Sequence, residues 1–393
     1  MSGSTGAGEG FLVLDVAFKG QSLNYDQSIG NLQQLKKIHM HGNVYTMVSR
    51  YALRYSLLET GQRLFGWRLA DREALRIARS DKGTIQPNPE KLCEILEYVD
   101  LDLFGFLVTG KAKEDREKVR EGESKGGSNE ESEREVTIAR PAPVKISHAI
   151  SMEPYKFDSH FNVNLGLARR AGLLGVIQNP FQLEEHVSYY KYSVVVSLGD
   201  VGVHESFLGS ERPPKYLEKC TKSTEDGNYV YGVERDRDEE KERVLQLVAA
   251  VLSLKRSIKG RPEDLSPKVM IAAYYPRIYR SYLDRITVRP ESSRETRIEE
   301  AEEAKEGGRR TIKIVESQWE SPRISIELDE PLPKKFLIYA PVGVRLDVTP
   351  QAAIERDPAK ALEKIGGWIG CDKKCQEPVI KAFQEPVSDA SQQ

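Results

Sequence analysis

Four sets of residues in this 393-residue chain have the types or spacing that chemistry needs. His39-Met-His41 is an H-x-H, yet no Cys, His or carboxylate stands at ligand spacing beside it, so surface histidines are expected rather than a zinc site. Cys371-Asp-Lys-Lys-Cys375 has no second pair nearby, and two cysteines on successive turns of a C-terminal helix or in a loop are the plainer reading. Cys93 and Cys220 are isolated and far apart, which fits free thiols in a reducing compartment. His148, His160, His186 and His204 are scattered, and Asp15 sits inside an apolar run as an edge or paired carboxylate. No Walker A, strand–GxGxxG–helix unit, G-x-S-x-G or H-E-x-x-H occurs, so no hydrolytic constellation assembles. No metal, no cofactor and no enzymatic activity are expected.

The fourth set is cationic. Lys36-Lys37 follows a glycine-rich loop, and Arg50 and Arg54 stand four apart on a helix, hence on adjacent turns of one face. Arg169-Arg170 follows an alternating run, and Lys255-Arg256 with Lys259-Gly-Arg261 is expected to close a long helix. Each pair alone reads as solvated surface charge. Together, at element ends beside Gly, Ser or Asn, they suit a sugar–phosphate chain, which backbone donors and cations position without reading sequence.

Several elements must position these residues. Phe11–Phe18 is a strand apolar enough for the middle of a sheet, and Asn43–Val48 is a short strand. Ser49 is the expected N-cap of a helix, and Asn88-Pro89 starts another with Leu92, Ile95, Leu96 and Val99 inside. Leu101–Val108 reads as a strand, as do Val144–Ile150, Val187–Leu198 and Val269–Tyr275. Residues 199–235 read as loop, and Asp238–Ile258 as the clearest helix, acidic at its start and basic at its end. Ile312–Val315 and Ile324–Leu328 bracket a possible hairpin.

Composition bounds the rest. With 58 Lys+Arg against 60 Asp+Glu the formal net charge is −2, so any affinity for nucleic acid must reside in local patches. Apolar residues make up 39% and charged residues 30%, a globular balance, and no apolar run or basic leader points to a membrane or to secretion. Residues 111–135 carry seven bases and nine acids and are expected to be a disordered loop interrupting a domain. Residues 291–310, with seven acids and five bases, form a second charged insertion.

Ser28-Ile-Gly-Asn-Leu32 after the first strand, followed by Tyr45-Thr-Met-Val-Ser-Arg-Tyr-Ala-Leu-Arg54, resembles the signature of the Cascade backbone subunit of type I CRISPR systems, a family that includes the DevR-type autoregulators. The resemblance continues through Phe104–Gly110, Arg140–Ser147, Val187–Gly199 and Arg261–Pro267, and covers about 11 to 285. It implies an α+β fold with an RRM-like (ferredoxin-like) palm, a helical finger insertion and a thumb-like β-hairpin. On that pattern residues 1–10 are a disordered N-terminus, 11–48 and 101–290 the palm, 49–100 the finger, 199–235 the thumb (136–160 as the alternative), 291–385 a C-terminal extension and 386–393 a disordered tail.

The implied partners are CRISPR RNA, further copies of the chain head-to-tail, other Cascade subunits, and target DNA through the guide heteroduplex, all in the cytoplasm. The implied RNA contacts are Ser28, Asn31, Lys36, Lys37, Ser49, Arg50, Arg54, Lys145, Arg169, Arg170, Lys255, Arg256, Lys259 and Arg261. A non-catalytic scaffold is the leading expectation. A metal-dependent RNase using Asp15, Asp26 or Asp158 and a DNA-binding autoregulator are the alternatives.

Overall fold

The computed structural model describes residues 10–78, 84–109, 137–163, 165–170, 172, 180–289, 323–329 and 331–385. The two charged insertions, the Ile312–Val315 run, residues 1–9 and the tail from 386 lie outside the described residues.

Among the described residues a nine-stranded sheet organises the chain. Its strands are β1 (Phe11–Gln21), β2 (Lys37–Met40), β3 (Asn43–Val48), β4 (Val144–Ile146), β5 (Ala149–Ser151), β6 (Val187–Ser197), β7 (Val269–Tyr275), β8 (Phe336–Tyr339) and β9 (Ile354–Glu355). They lie in the order β9-β8-β7-β1-β6-β5-β3-β2, with β4 also on β6. β1 is central, antiparallel to β6 along its whole length (Phe11 opposite Ser197) and to β7 on its other side (Val13 opposite Ala273).

The near-continuous apolarity of β1 has a reason: both faces are covered. Leu12, Leu14, Val16 and Phe18 meet the helices α1 (Arg50–Phe65) and, after the short α2 (Val99–Phe104) and α3 (Leu165–Arg170), α4 (Arg237–Leu252). The C-terminal helices α5 (Pro358–Ile369) and α6 (Lys373–Gln384) pack on α4. On the opposite face Ala17, Ile271 and Ala273 join Ile286, Ile324 and Ile326 from a small sheet of strands Ile286–Arg289, Arg323–Glu327 and Leu346–Thr349. In that sheet Arg323–Glu327 pairs antiparallel with Ile286–Arg289 and parallel with Leu346–Thr349. Asp15, wholly buried in β1, accepts hydrogen bonds from Ser281 Oγ (2.8 Å) and Tyr282 N (2.5 Å), which ties that sheet to the central one.

Four readings are corrected. Leu101–Val108 is not one strand: α2 runs to Phe104, and only Phe106–Val108 is extended. The long helix ends at Leu252, and Lys255–Ile258 and Arg261–Asp264 form a β-hairpin instead. Lys259 (φ 50) and Gly260 (φ 81) make its two-residue turn, a conformation that matches strand twist and that glycine adopts without cost. Residues 199–235 are not loop: Val203–Gly209, Thr221–Ser223 and Tyr229–Glu234 form a sheet. Leu208 and Tyr231 of this sheet, with Leu217 of the Lys215–Cys220 turn, bury against Ala74, Leu92, Ile95 and Tyr98 in a third core cluster. Finally, the cysteines are neither isolated nor free. Cys93 bonds Cys220, joining the Pro89–Glu97 and Lys215–Cys220 turns across that cluster, and Cys371 bonds Cys375 at the start of α6.

A four-stranded sheet of Tyr25–Ile29, Leu32–Leu35, Ser159–Asn162 and Phe181–Glu184 has a different character. Only Leu35, Leu183 and Glu184 of its strand residues are buried. Within the glycine-rich loop expected ahead of Lys36, Tyr25–Ile29 is one of these strands.

Candidate nucleic-acid interface

The start of α1 is fixed from three directions. Ser49 leaves β3 in an extended conformation and its Oγ accepts from Ala52 N at 3.2 Å, the N-cap its position calls for. Ser49 N donates to Asn24 Oδ1 (2.9 Å), and Arg50 N donates to His148 Nδ1 (3.0 Å) just before β5. The first turn of α1 is thereby pinned between two parts of the sheet, and its exposed face carries Arg50 and Arg54 at a defined place.

These two arginines meet Lys145 of β4 in a cleft of about 320 Å³ lined by Arg50, Tyr51, Arg54, Phe104, Ala142, Val144, Lys145 and Ile146. Three cations and no carboxylate line it. Among the described residues none of the three cations forms an ion pair. Arg54 lies over the Phe104 ring at 4.7 Å, and burial there disfavours its charge, an effect the Asp100 carboxylate opposes. Arg50 lies 5.0 Å from the Tyr51 ring and donates to its hydroxyl (3.1 Å), which pulls the phenol below its ordinary range. Two planar guanidiniums with forked donors and one ammonium therefore line a single concave surface.

The other expected contacts separate into two groups. Ser28 and Asn31 are exposed on the four-stranded sheet, Lys36 pairs with Asp26 at 3.0 Å, and Lys259 donates to Gln33 Oε1 and lies 5.1 Å from the Tyr25 ring. Lys255 is exposed on its hairpin, and Arg169 and Arg170 are exposed in the last turn of α3. All of these remain reachable.

Lys37, Arg256 and Arg261 are already occupied, and the expectation of free cations there is corrected. Lys37 Nζ pairs with the buried Glu184 carboxylate at 2.6 Å and sits 4.7 Å from the Tyr155 ring. Arg256 donates to Leu23 O (3.2 Å), Ala52 O (3.1 Å) and Ser56 Oγ (3.0 Å) and so straps α1 to the end of β1. Arg261 donates to Gln21 O (2.6 Å) and Glu263 Oε1 (2.7 Å). Except for Glu263, two residues from Arg261, each partner lies far away in sequence, so the residue types gave no sign of it.

Of the carboxylates weighed for RNA cleavage, Asp15 is buried on Ser281 and Tyr282, Asp26 is paired with Lys36, and Asp158 is exposed. Among the described residues no three His, Cys, Asp or Glu side chains are grouped to hold a metal ion. None of the described helices is long and apolar enough to cross a membrane. Sequence reasoning missed Tyr51 and Phe104 as cleft walls. Tyr51 was signalled by an aromatic residue between two arginines on a helix, whereas Phe104 comes from a segment misread as strand.

Comparison with known proteins adds the following. The family described as "CRISPR-associated negative auto-regulator DevR/Csa2" matches residues 12–281. A "CRISPR-associated protein Cas7/Cst2/DevR" from Myxococcus xanthus (strain DK1622) is 27% identical over 176 residues, 43% of this chain, and the match spans about half (50%) of that relative's length. Two solved structures show weaker likeness over 67% of the chain. One, a "CRISPR RNA-guided surveillance complex", has a TM-score of 0.35 at 12% identity over 68% of its chain. The other, "CRISPR RNA-guided surveillance complex, pre-nicking", has a TM-score of 0.37 at 9% identity over 77%. Likeness at that level is too distant to guide the assignment. The family match includes β1, the whole of α1 with its cationic face, β4 and β7, and the chain belongs to the DevR/Csa2 family of CRISPR-associated proteins.

Proposed function

We propose that the chain is a non-catalytic CRISPR RNA-binding backbone subunit of a type I Cascade-like interference complex, repeated head-to-tail along the guide. The observation that carries this reading is the cleft in which Arg50, Arg54 and Lys145 converge with no carboxylate in its lining. Three cations that form no ion pair among the described residues, on a formally near-neutral chain, are suited to a polyanion, and cations without base-edge readers bind every spacer alike. Ser28, Asn31, Lys36, Lys255 and Lys259 extend the track along the four-stranded sheet, and Arg169 and Arg170 lie on the excursion between its Ser159–Asn162 and Phe181–Glu184 strands. Target recognition then falls to base pairing with the guide, in the cytoplasm beside other Cascade subunits, and the protein meets target DNA only through the heteroduplex.

The strand order β7-β1-β6-β5 with α1 and α4 on one face supports the RRM-like (ferredoxin-like) palm. The third core cluster, built from residues 74–138 and 208–231, suits the finger. The little-buried sheet around 159–184 is the better candidate for the thumb, because 199–235 is spent on that cluster. The test is co-purification followed by nuclease digestion and RNA sizing. A protected ladder with a constant step in nucleotides is the expected result. A nucleotide-free monomer that ignores single-stranded RNA at low salt overturns the reading, and preferential capture of one duplex DNA favours an autoregulator.

A further inference from the structure

Cations explain affinity for a phosphate chain but not preference for one that bears bases. The exposed face of α1 carries something more. Tyr51 and Tyr55 are 64% and 61% exposed, large values for aromatic side chains, and they stand four residues apart. Four residues of α-helix rise about 6 Å and return to one face, so the rings occupy successive turns. Both rings are oriented through their hydroxyls: Tyr51 accepts from Arg50 (3.1 Å), and Tyr55 donates to Glu59 Oε1 (3.2 Å). Tyr51 also lines the cleft of Arg54 and Lys145.

Scattered exposed aromatics need no explanation. Two oriented rings on the helix that carries Arg50 and Arg54 are not scattered. Every base has a π-face, so stacking on tyrosine is indifferent to sequence, and it contributes about 1–3 kcal/mol per base.

We propose that Tyr51 and Tyr55 stack successive bases of the strand whose phosphates the Arg50–Arg54–Lys145 cleft holds. This inference rests on the RNA-binding reading above and assigns the two tyrosines a task separate from charge. Its test measures binding of a uridine oligonucleotide and of an abasic oligonucleotide of equal length and charge. The proteins compared are the full chain, Tyr51→Ala/Tyr55→Ala and Tyr51→Phe/Tyr55→Phe.

The expected result is that the alanine pair loses about tenfold or more for the uridine strand and little for the abasic one, while the phenylalanine pair keeps wild-type affinity. Equal losses on both strands, or no loss on either, overturn the proposal. If the wild-type chain binds both strands equally, stacking falls and the phosphate-binding reading stands. If it binds neither, both fall.

Discussion

Asp102 and Arg243 meet across 2.5 Å with both side chains buried, although 141 residues separate them. The other Asp102 oxygen takes Arg140 at 2.6 Å and Gly202 N at 2.9 Å, so one carboxylate serves two guanidiniums and a backbone amide. The cluster joins α2 to α4. Asp102→Asn leaves two buried cations without a counter-charge and is expected to cost about 3–5 kcal/mol, read as a lower urea midpoint. An unchanged midpoint would show that the site rearranges at no cost.

Arg256 gives a prediction opposite in kind. Its three hydrogen bonds strap α1 to the chain after β1. Arg256→Ala is expected to lower stability by about 2–4 kcal/mol and to leave the salt dependence of RNA binding as it was. Arg54→Ala should do the reverse, shallowing the slope of log K against log salt by about 0.7, one single-strand phosphate contact. Paired salt titrations and denaturant melts separate the two outcomes.

Gly61 lies where α1 meets Trp67. A Cβ added there would fall 2.1 Å from the indole ring, whose Nε1 donates to Gln246 on α4 at 2.7 Å. Gly61→Ala must displace the indole and is expected to destabilise by about 1–3 kcal/mol with a red-shifted tryptophan emission. Unchanged emission and stability would mean that the helix yields instead of the ring.

Two buried groups give the chain opposing responses to pH. Burial, aided by the Arg140 charge, lowers His204 to about 4, so it is neutral in the fold. Between pH 6.5 and 4 the unfolded chain takes a proton that the folded one refuses, and this group's contribution falls as pH drops. Burial raises Glu240 to about 7, with Asp102 and Glu234 adding and Arg237 opposing. Between pH 4.5 and 7 the folded state keeps a proton that the unfolded state has lost, so stability falls as pH rises through that window. Glu240→Gln should therefore raise the thermal midpoint above pH 7 and leave the acid-side decline in place, as scanning calorimetry across pH 4–8 would show.

The elements legible in the sequence were those whose residues face one environment throughout. Phe11–Phe18 and Val269–Tyr275 are buried on both faces along nearly their whole length, and their apolar runs say so, while Val187–Ser197 buries one face and half-buries most of the other. Ser49 was legible because a cap is a local event. The basic stretch 255–261 was not, since a helix C-terminus and the exposed arms of a hairpin both favour Lys and Arg. The Lys259-Gly260 pair was the overlooked turn signal. Nor can spacing reveal which cations are taken: Lys37 and Arg54 look alike until Glu184, 147 residues further on, proves to lie against Lys37.

The outer edge of β7 has a consequence during synthesis. β8 pairs with it through Ile271 and Ile338, and α5 and α6 cover α4, so the cover for both arrives last. The ribosome adds about 5–20 residues per second, so the 64 residues from Tyr275 to Tyr339 take roughly 3–13 s to emerge. Throughout that interval the nascent chain offers an unpaired strand edge and a bare apolar helix, which neighbouring nascent chains on the same message can seize. Successful production thus depends on how promptly residues 336–384 follow, and slowing translation within that stretch would shift yield from folded protein to aggregate.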